Sequence, residues 1–196
     1  IDWLIDIDPD PARLSAAHDR WWPEFLKRAG HVLPEPLEEI GERLREHLAP
    51  ILRHLTRTSP RTLVHSDYKL ENLIFGGPAG GVPFAVIDWQ LMGRGRGVWD
   101  VAYFLAQSLH PEARRAVELD LLRTYHHDLV EGGVRGYTFE ACLYDFRLSL
   151  LRRFGSLIST IAAMPFTEEQ IRMHVDVLLP RTCAAILDHA AGELLS

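Results

Sequence analysis

The strongest constraint on this chain is a change of apolar period in its middle. Up to residue 57 the apolar side chains recur at helical spacing, first as Leu14, Ala17, Trp21, Trp22 and Phe25, then as Leu37, Ile40, Leu44, Leu48, Ile51 and Leu55. From Thr62 the pattern becomes short β-prone runs: Thr62-Leu63-Val64, Leu73-Ile74-Phe75 and Phe84-Ala85-Val86-Ile87. A Gly-Gly-Pro-Ala-Gly-Gly segment at 76–81 is the turn joining the last two. Helical patterning then resumes, with helices expected over 99–108, 111–131, 138–163 and 167–191. The fold class is mainly α, with a small β-hairpin inserted after the second helix.

Punctuation supports these bounds. Asp8-Pro9-Asp10-Pro11 opens the first helix, since proline is tolerated in a first turn, and Gly30 closes it. Pro34 and Pro36 open the second, which ends before Ser59-Pro60. Thr138 and Thr167 have the character of N-caps, and Pro165 separates the last two helices. The glycine-rich stretch 92–97, with Arg94 and Arg96, is read as a solvated mobile loop or as a contact to phosphate or substrate.

At 196 residues the chain fits one domain or one large lobe. Its net charge of −6 argues against nucleic acid, which calls for a basic face, and permits a cationic ligand. No run approaches the ~18 apolar residues of a membrane span, and no secretory signal is visible, so the expected compartment is the cytoplasm. Cys142 and Cys183 are too few and too far apart for a zinc site or a disulfide framework, and are read as reduced core thiols. The chain opens on Ile1-Asp2-Trp3 without an initiator methionine and is expected to be a fragment.

Polar residues crowd the ends of the hairpin. The run His65-Ser66-Asp67-Tyr68-Lys69-Leu70-Glu71-Asn72 lies between two apolar strands, and Asp88 follows a third. Pairing of the hairpin strands brings Asp88 close to Asn72 and Asp67. Two carboxylates and a carboxamide form a hard oxygen set suited to Mg²⁺, which completes its shell with water and phosphate. Phosphoryl transfer needs such a set, together with a carboxylate to orient or deprotonate the attacking hydroxyl and a nearby cation. Asp67, Asn72, Asp88 and Lys69 supply these parts.

This run resembles the kinase catalytic loop, in which His-x-Asp is followed by Asn, and Ile87-Asp88-Trp89 resembles the metal-binding motif that comes next. Trp89 and Gln90 replace the Phe and Gly of protein kinases. With Gly97-Val98-Trp99-Asp100-Val101-Ala102-Tyr103-Phe104-Leu105, this is similar to the aminoglycoside phosphotransferase and choline kinase-like superfamily, closest to its ecdysteroid-kinase-like branch and bacterial relatives. The resemblance implies a protein kinase-like carboxy-terminal lobe spanning 1–196, made of a helical pair (1–60), a catalytic and metal-binding segment (61–100) and a substrate-side helical bundle (101–196). It implies an ATP-dependent transfer of the γ-phosphate to a hydroxyl of a small molecule. Asp67 would be the catalytic base, Lys69 would approach the γ-phosphate, and Asn72 and Asp88 would hold Mg²⁺ and thereby ATP. His65 and Asp100 would brace the loop. No glycine-rich phosphate loop precedes Asp67, so the nucleotide lobe of the same protein is expected upstream and the isolated chain is expected to be inactive.

Two other readings compete. The chain could be a catalytically inactive kinase-like binding module. His18-Asp19 and His126-His127-Asp128 could suggest a metal-dependent hydrolase, although partner ligands at supporting spacing are missing. Tyr144, Asp145 and Arg147 are candidates for the acceptor pocket, without a motif to specify them. Aminoglycosides, choline-like amines, sterols and sugars all remain open as acceptors.

Overall fold

The computed structural model describes residues 3–8, 10–77 and 83–196. Helix α1 (Pro11–Ala29) starts where Asp10 accepts a hydrogen bond from the Arg13 N–H, and Gly30 caps its end. Helix α2 (Glu35–Arg57) buries Leu37, Leu44, Leu48, Ile51 and Leu55, which are residues of the predicted stripe. Strands β1 (Thr62–Val64), β2 (Leu73–Phe75), β3 (Phe84–Val86) and β4 (Gly93–Gly95) follow. The remainder is helical: α3 (Val98–Ser108), α4 (Pro111–Glu131), α5 (Phe139–Ala163), α6 (Glu168–Arg172) and α7 (Leu179–Asp188).

Among the described residues the β structure is two small sheets rather than one hairpin. β2 and β3 pair antiparallel with Leu73 opposite Val86, as predicted, while β1 pairs with β4, placing Val64 opposite Gly93. The stretch 92–97 is therefore not a mobile solvated loop. Its glycines are required by close approach: a Cβ on Gly93 would meet Ile7 Cγ2 at 2.8 Å, and one on Gly95 would meet Ile7 Cδ1 at 2.7 Å. Residues 5–7 run along β4, with the Arg94 N–H donating to Ile5 O at 2.7 Å and Ile7 N–H donating to Arg94 O at 3.1 Å. Arg96, expected in solvent or on phosphate, is buried and pairs with Asp145 at 2.7 Å. The turn expected at 76–81 lies partly outside the described residues, but the Gly76 N–H donates to Pro83 O at 2.9 Å across its base.

One apolar core joins α1, α2, α3, α4, α5 and α7. Helix α5 supplies its largest share, from Cys142 and Phe146 through Leu150, Leu151, Phe154 and Leu157 to Ile161, and Cys142 and Cys183 are both buried and unpaired. Burial raises the Cys142 thiol to about 11 and the Cys183 thiol to about 12, so neither is a thiolate at neutral pH. Thr138 caps α5 by accepting from the Ala141 N–H, and Thr167 forms a capping box with Gln170. The single helix expected over 167–191 is instead interrupted. Residues Met173–Leu178 form a π-helical segment between α6 and α7, with Pro180 in the first turn of α7. Proline lacks an N–H and crowds the preceding turn, which favours such an adjustment. Among the described residues, no helix is long and apolar enough to cross a membrane.

Candidate active site

The loop after β1 is held in a conformation that its sequence would not choose unaided. Ser66 has φ of 69°, a left-handed conformation that is costly for a residue bearing a Cβ. Asp100, in the first turn of α3, secures it. One carboxylate oxygen accepts from the His65 N–H at 2.7 Å and the other from the Ser66 N–H at 3.0 Å. Burial raises the pKa of Asp100, while those two N–H donors, and then His65 and Arg152, oppose the rise. His65 adds a second brace. Its Nε2 lies 2.8 Å from Ile87 O, which can only accept, so that nitrogen carries the proton. Nδ1 is then free to accept the Asp67 N–H at 3.2 Å. Two sequence-predicted supports, His65 and Asp100, thus converge on the backbone just before Asp67.

The Asp67 carboxylate is the focus of donors. Oδ1 accepts from the Tyr103 hydroxyl at 2.7 Å, while Oδ2 accepts from Asn72 Nδ2 at 3.0 Å and pairs with Lys69 Nζ at 2.9 Å. Burial acts to raise its pKa, but the hydrogen bonds from Lys69, Tyr103 and Asn72 outweigh it and hold the group below the ordinary aspartate value. The structure therefore brings Asp67, Lys69 and Asn72 together. Lys69 pairs with the carboxylate while its side chain remains partly exposed.

Asn72 is buried, and its amide nitrogen also donates to Asp67 O at 2.9 Å. An amide nitrogen cannot accept and a carboxylate cannot donate, so Asp67 fixes the orientation and leaves the Asn72 carbonyl oxygen as its free hard-donor atom. Asn72 is the residue before β2, and its backbone carbonyl accepts the Ile87 N–H at 3.0 Å. Register thus puts Asp88 one residue beyond the backbone bond to Asn72. Asp88 itself has φ of 64° and ψ of 54°, which aspartate tolerates better than most residues, and it is exposed. The Trp89 indole N–H closes that turn by donating to Val86 O at 2.9 Å. No side-chain hydrogen bond or ion pair engages Asp88 among the described residues. Among those residues no group of three His, Cys, Asp or Glu side chains is placed to hold a metal, so a cation here would depend on the Asn72 carboxamide.

Other expectations need correction. Asp145 does not line a pocket: it is buried, within reach of His54 Nε2 at 2.6 Å, the Tyr137 hydroxyl at 2.8 Å and Arg96. Arg147 donates to Ala190 O at 2.5 Å, and Tyr144 stands edge-on to the His54 ring. His126 meets the Tyr137 carbonyl at 2.8 Å and His18 stacks on Trp22, so neither belongs to a ligand cluster. Tyr103 was not anticipated, although it lies one helical turn beyond Asp100 and so shares its face of α3.

A mainly helical lobe with a braced Asp67–Asn72 loop and Asp88 on the adjoining hairpin is the architecture of a kinase-like phosphotransferase. Residues 3–138, well over half of the chain, match the model of the phosphotransferase enzyme family (APH), and the chain belongs to that family. Two curated proteins are similar over shorter stretches. "Acyl-CoA dehydrogenase family member 10" of Mus musculus is 48% identical over 50 residues, 26% of this chain. "Probable acyl-CoA dehydrogenase IBR3" of Arabidopsis thaliana is 33% identical over 88 residues, 43% of this chain. The matched stretches span 5% and 10% of the lengths of those two proteins.

Proposed function

We propose that this chain carries the catalytic centre of an ATP-dependent kinase acting on a hydroxyl of a small molecule. The observation that carries the reading is the donor set on Asp67: a carboxylate held ionised by Tyr103, Lys69 and Asn72 stands at the centre of the braced loop. Asp67 orients the acceptor hydroxyl and takes its proton as the hydroxyl oxygen bonds to the γ-phosphorus of ATP. The bond from that phosphorus to the β–γ bridging oxygen breaks, and ADP leaves with its electron pair. Asn72 and Asp88 would hold Mg²⁺, and the residues fit: one offers a carbonyl oxygen, the other a carboxylate without a competing partner. Such an ion neutralises charge on the phosphates. Lys69 is close enough to Asp67 to shift toward a phosphoryl oxygen during transfer.

The hairpin and the turn that follows it also present Ile74, Phe75, Phe84, Ile87, Trp89 and Leu91 to solvent. Exposed apolar side chains in this number support a partner over this region, and we assign that place to a nucleotide-binding lobe of the same protein. The test is ATP turnover by the protein with Mg²⁺ and a panel of hydroxyl compounds. Asp67→Ala and Asp88→Ala are each expected to lower turnover by about 10²–10⁴-fold. Unchanged activity in both would refute the assignment. An inactive binding module would instead show no Mg²⁺-dependent affinity for ATP by calorimetry.

A further inference from the structure

A cavity of about 770 Å³ opens beside the Asp67 loop, lined by Lys69, Asn72 and Tyr103 and by residues of α3, α5, the π-helical segment and α7. Its charge is one-sided. Lys69, Arg153 and Arg181 line it, against Glu71 as the acidic lining residue. Lys69 is already satisfied by Asp67. The two arginines have no carboxylate partner among the described residues.

Arg153 is 8% exposed. Its Nη2 donates to Gln107 Oε1 at 2.9 Å, its guanidinium lies 4.1 Å from the centre of the Tyr103 ring, and its Nε has no hydrogen-bond partner. Among the described residues no carboxylate lies within ion-pair distance of it. The other buried arginines contrast with this: Arg96 has Asp145, Arg114 has Glu118 and Asp188, and Arg152 has Asp8 at 2.5 Å. A guanidinium cannot shed its proton, so burying one without an anion is costly unless something supplies the charge. Arg181, which is half-buried, donates to the Gln107 backbone carbonyl at 2.7 Å, lies 3.3 Å from His110 Nε2 and, among the described residues, has no carboxylate partner. One residue, Gln107, thus positions both guanidiniums on the same cavity.

Arg153 packs on the ring whose hydroxyl reaches Asp67, so the cation and the base are separated by about one tyrosine side chain. Resting on the kinase reading above, we infer that the acceptor is a small hydroxyl compound bearing an anionic group, a carboxylate or a phosphate, held by Arg153 and Arg181 with its hydroxyl toward Asp67. Arg153 and Arg181 lie beyond residue 138, where the family match ends, so the acceptor chemistry is set by a part of the chain that the match does not cover. The overall charge of −6 is no guide to it.

Binding without ATP or Mg²⁺ tests this separately from phosphoryl transfer. Dissociation constants are measured by NMR titration of the purified protein with 3-hydroxybutyrate, glycerol 3-phosphate, glycerol and choline. Both anions, or whichever of the two the site prefers, are expected to bind at least about tenfold tighter than glycerol and choline. Arg181→Gln, at the less buried of the two arginines, is expected to weaken that binding at least about fivefold with unchanged circular dichroism, and Arg153→Gln to weaken it further. Choline or glycerol binding as tightly as the anions would overturn the proposal. So would failure of both anions to bind, or unchanged anion affinity in Arg181→Gln. If anion binding and its Arg181 dependence hold while the full-length protein, assayed with Mg²⁺ and ATP, phosphorylates no hydroxyl compound that binds, the anion site stands and the kinase reading fails.

Discussion

Tyr103 shows how one side chain tunes another. Its hydroxyl donates to Asp67 Oδ1, and that bond is among the contacts holding the Asp67 pKa down. Burial, with the adjoining Asp67 charge adding to it, raises the Tyr103 pKa far above the ordinary phenol, so it remains a donor throughout the working range. Tyr103→Phe removes a bond that favours the ionised carboxylate, so the Asp67 pKa rises and the acid limb of the kcat/KM profile moves to higher pH. The same variant is expected to lose about 1 kcal/mol of stability by urea unfolding. An acid limb that stays in place would show that Asp67 is not the group titrating there. Asp67, Asn72 and Asp88 could be named from the sequence because each belongs to a spaced motif. Arg153 could not, because a lone pair of arginines in the apolar run of α5 does not reveal which of them finds a carboxylate. Arg152 meets Asp8 from the far end of the chain, and Arg153 does not.

Helix packing sets its own requirements. Helix α2 crosses α1 where Gly41 faces Trp22, and a Cβ on Gly41 would meet the indole at 2.2 Å. Trp22 cannot retreat easily, because it stacks against Phe25 with ring centroids 5.4 Å apart and its indole N–H donates to Glu42. Alanine would gain about 1 kcal/mol of helix propensity over glycine. The clash outweighs this, since overpacking a dense core costs about 1–3 kcal/mol and the obstacle is a rigid ring. Gly41→Ala is therefore expected to lower the urea midpoint, where an exposed helical glycine would raise it. The helices up to residue 163 and the Thr138 and Thr167 caps were legible because apolar spacing and capping chemistry are local, whereas the π-helical break at Met173–Leu178 was not. The β1–β4 pairing was not, since three-residue strands separated by the whole hairpin carry no local signal, and glycines chosen for close approach to Ile7 look the same as loop glycines.

Stability of the whole molecule depends on ion pairs that tie distant helices. Arg114 and Arg115 of α4 reach Asp188 at the end of α7, and Glu118 meets Arg114 and, at 3.1 Å, His189. For Glu118 burial acts upward, but its hydrogen bonds with His189 and Arg114 win and lower its pKa from 4.5; for Asp188 Arg115 and Arg114 do the same, from 3.8. Because the folded-state values lie below the unfolded ones, these groups contribute stability that is fully present above the unfolded values. It is lost as pH falls through the folded ones. The urea midpoint is expected to hold from pH 7 to about 5 and to drop toward pH 3. Arg114→Leu, which leaves Glu118 with His189 alone, is expected to cost about 3–5 kcal/mol at neutral pH and to flatten that drop. An identical acid profile in the variant would mean that other carboxylates govern it.

The sequence by itself determined the helices up to residue 163 and the β2–β3 hairpin, because hydrophobic period and capping act over a few residues. Tertiary structure decided which charges are neutralised. Arg96, Arg114 and Arg152 each meet a carboxylate brought from elsewhere in the chain, while Arg153 and Arg181 converge on Gln107 and face the cavity without one among the described residues. Charge pairing depends on three-dimensional neighbours, and those neighbours exist only once α3, α5 and α7 have packed together.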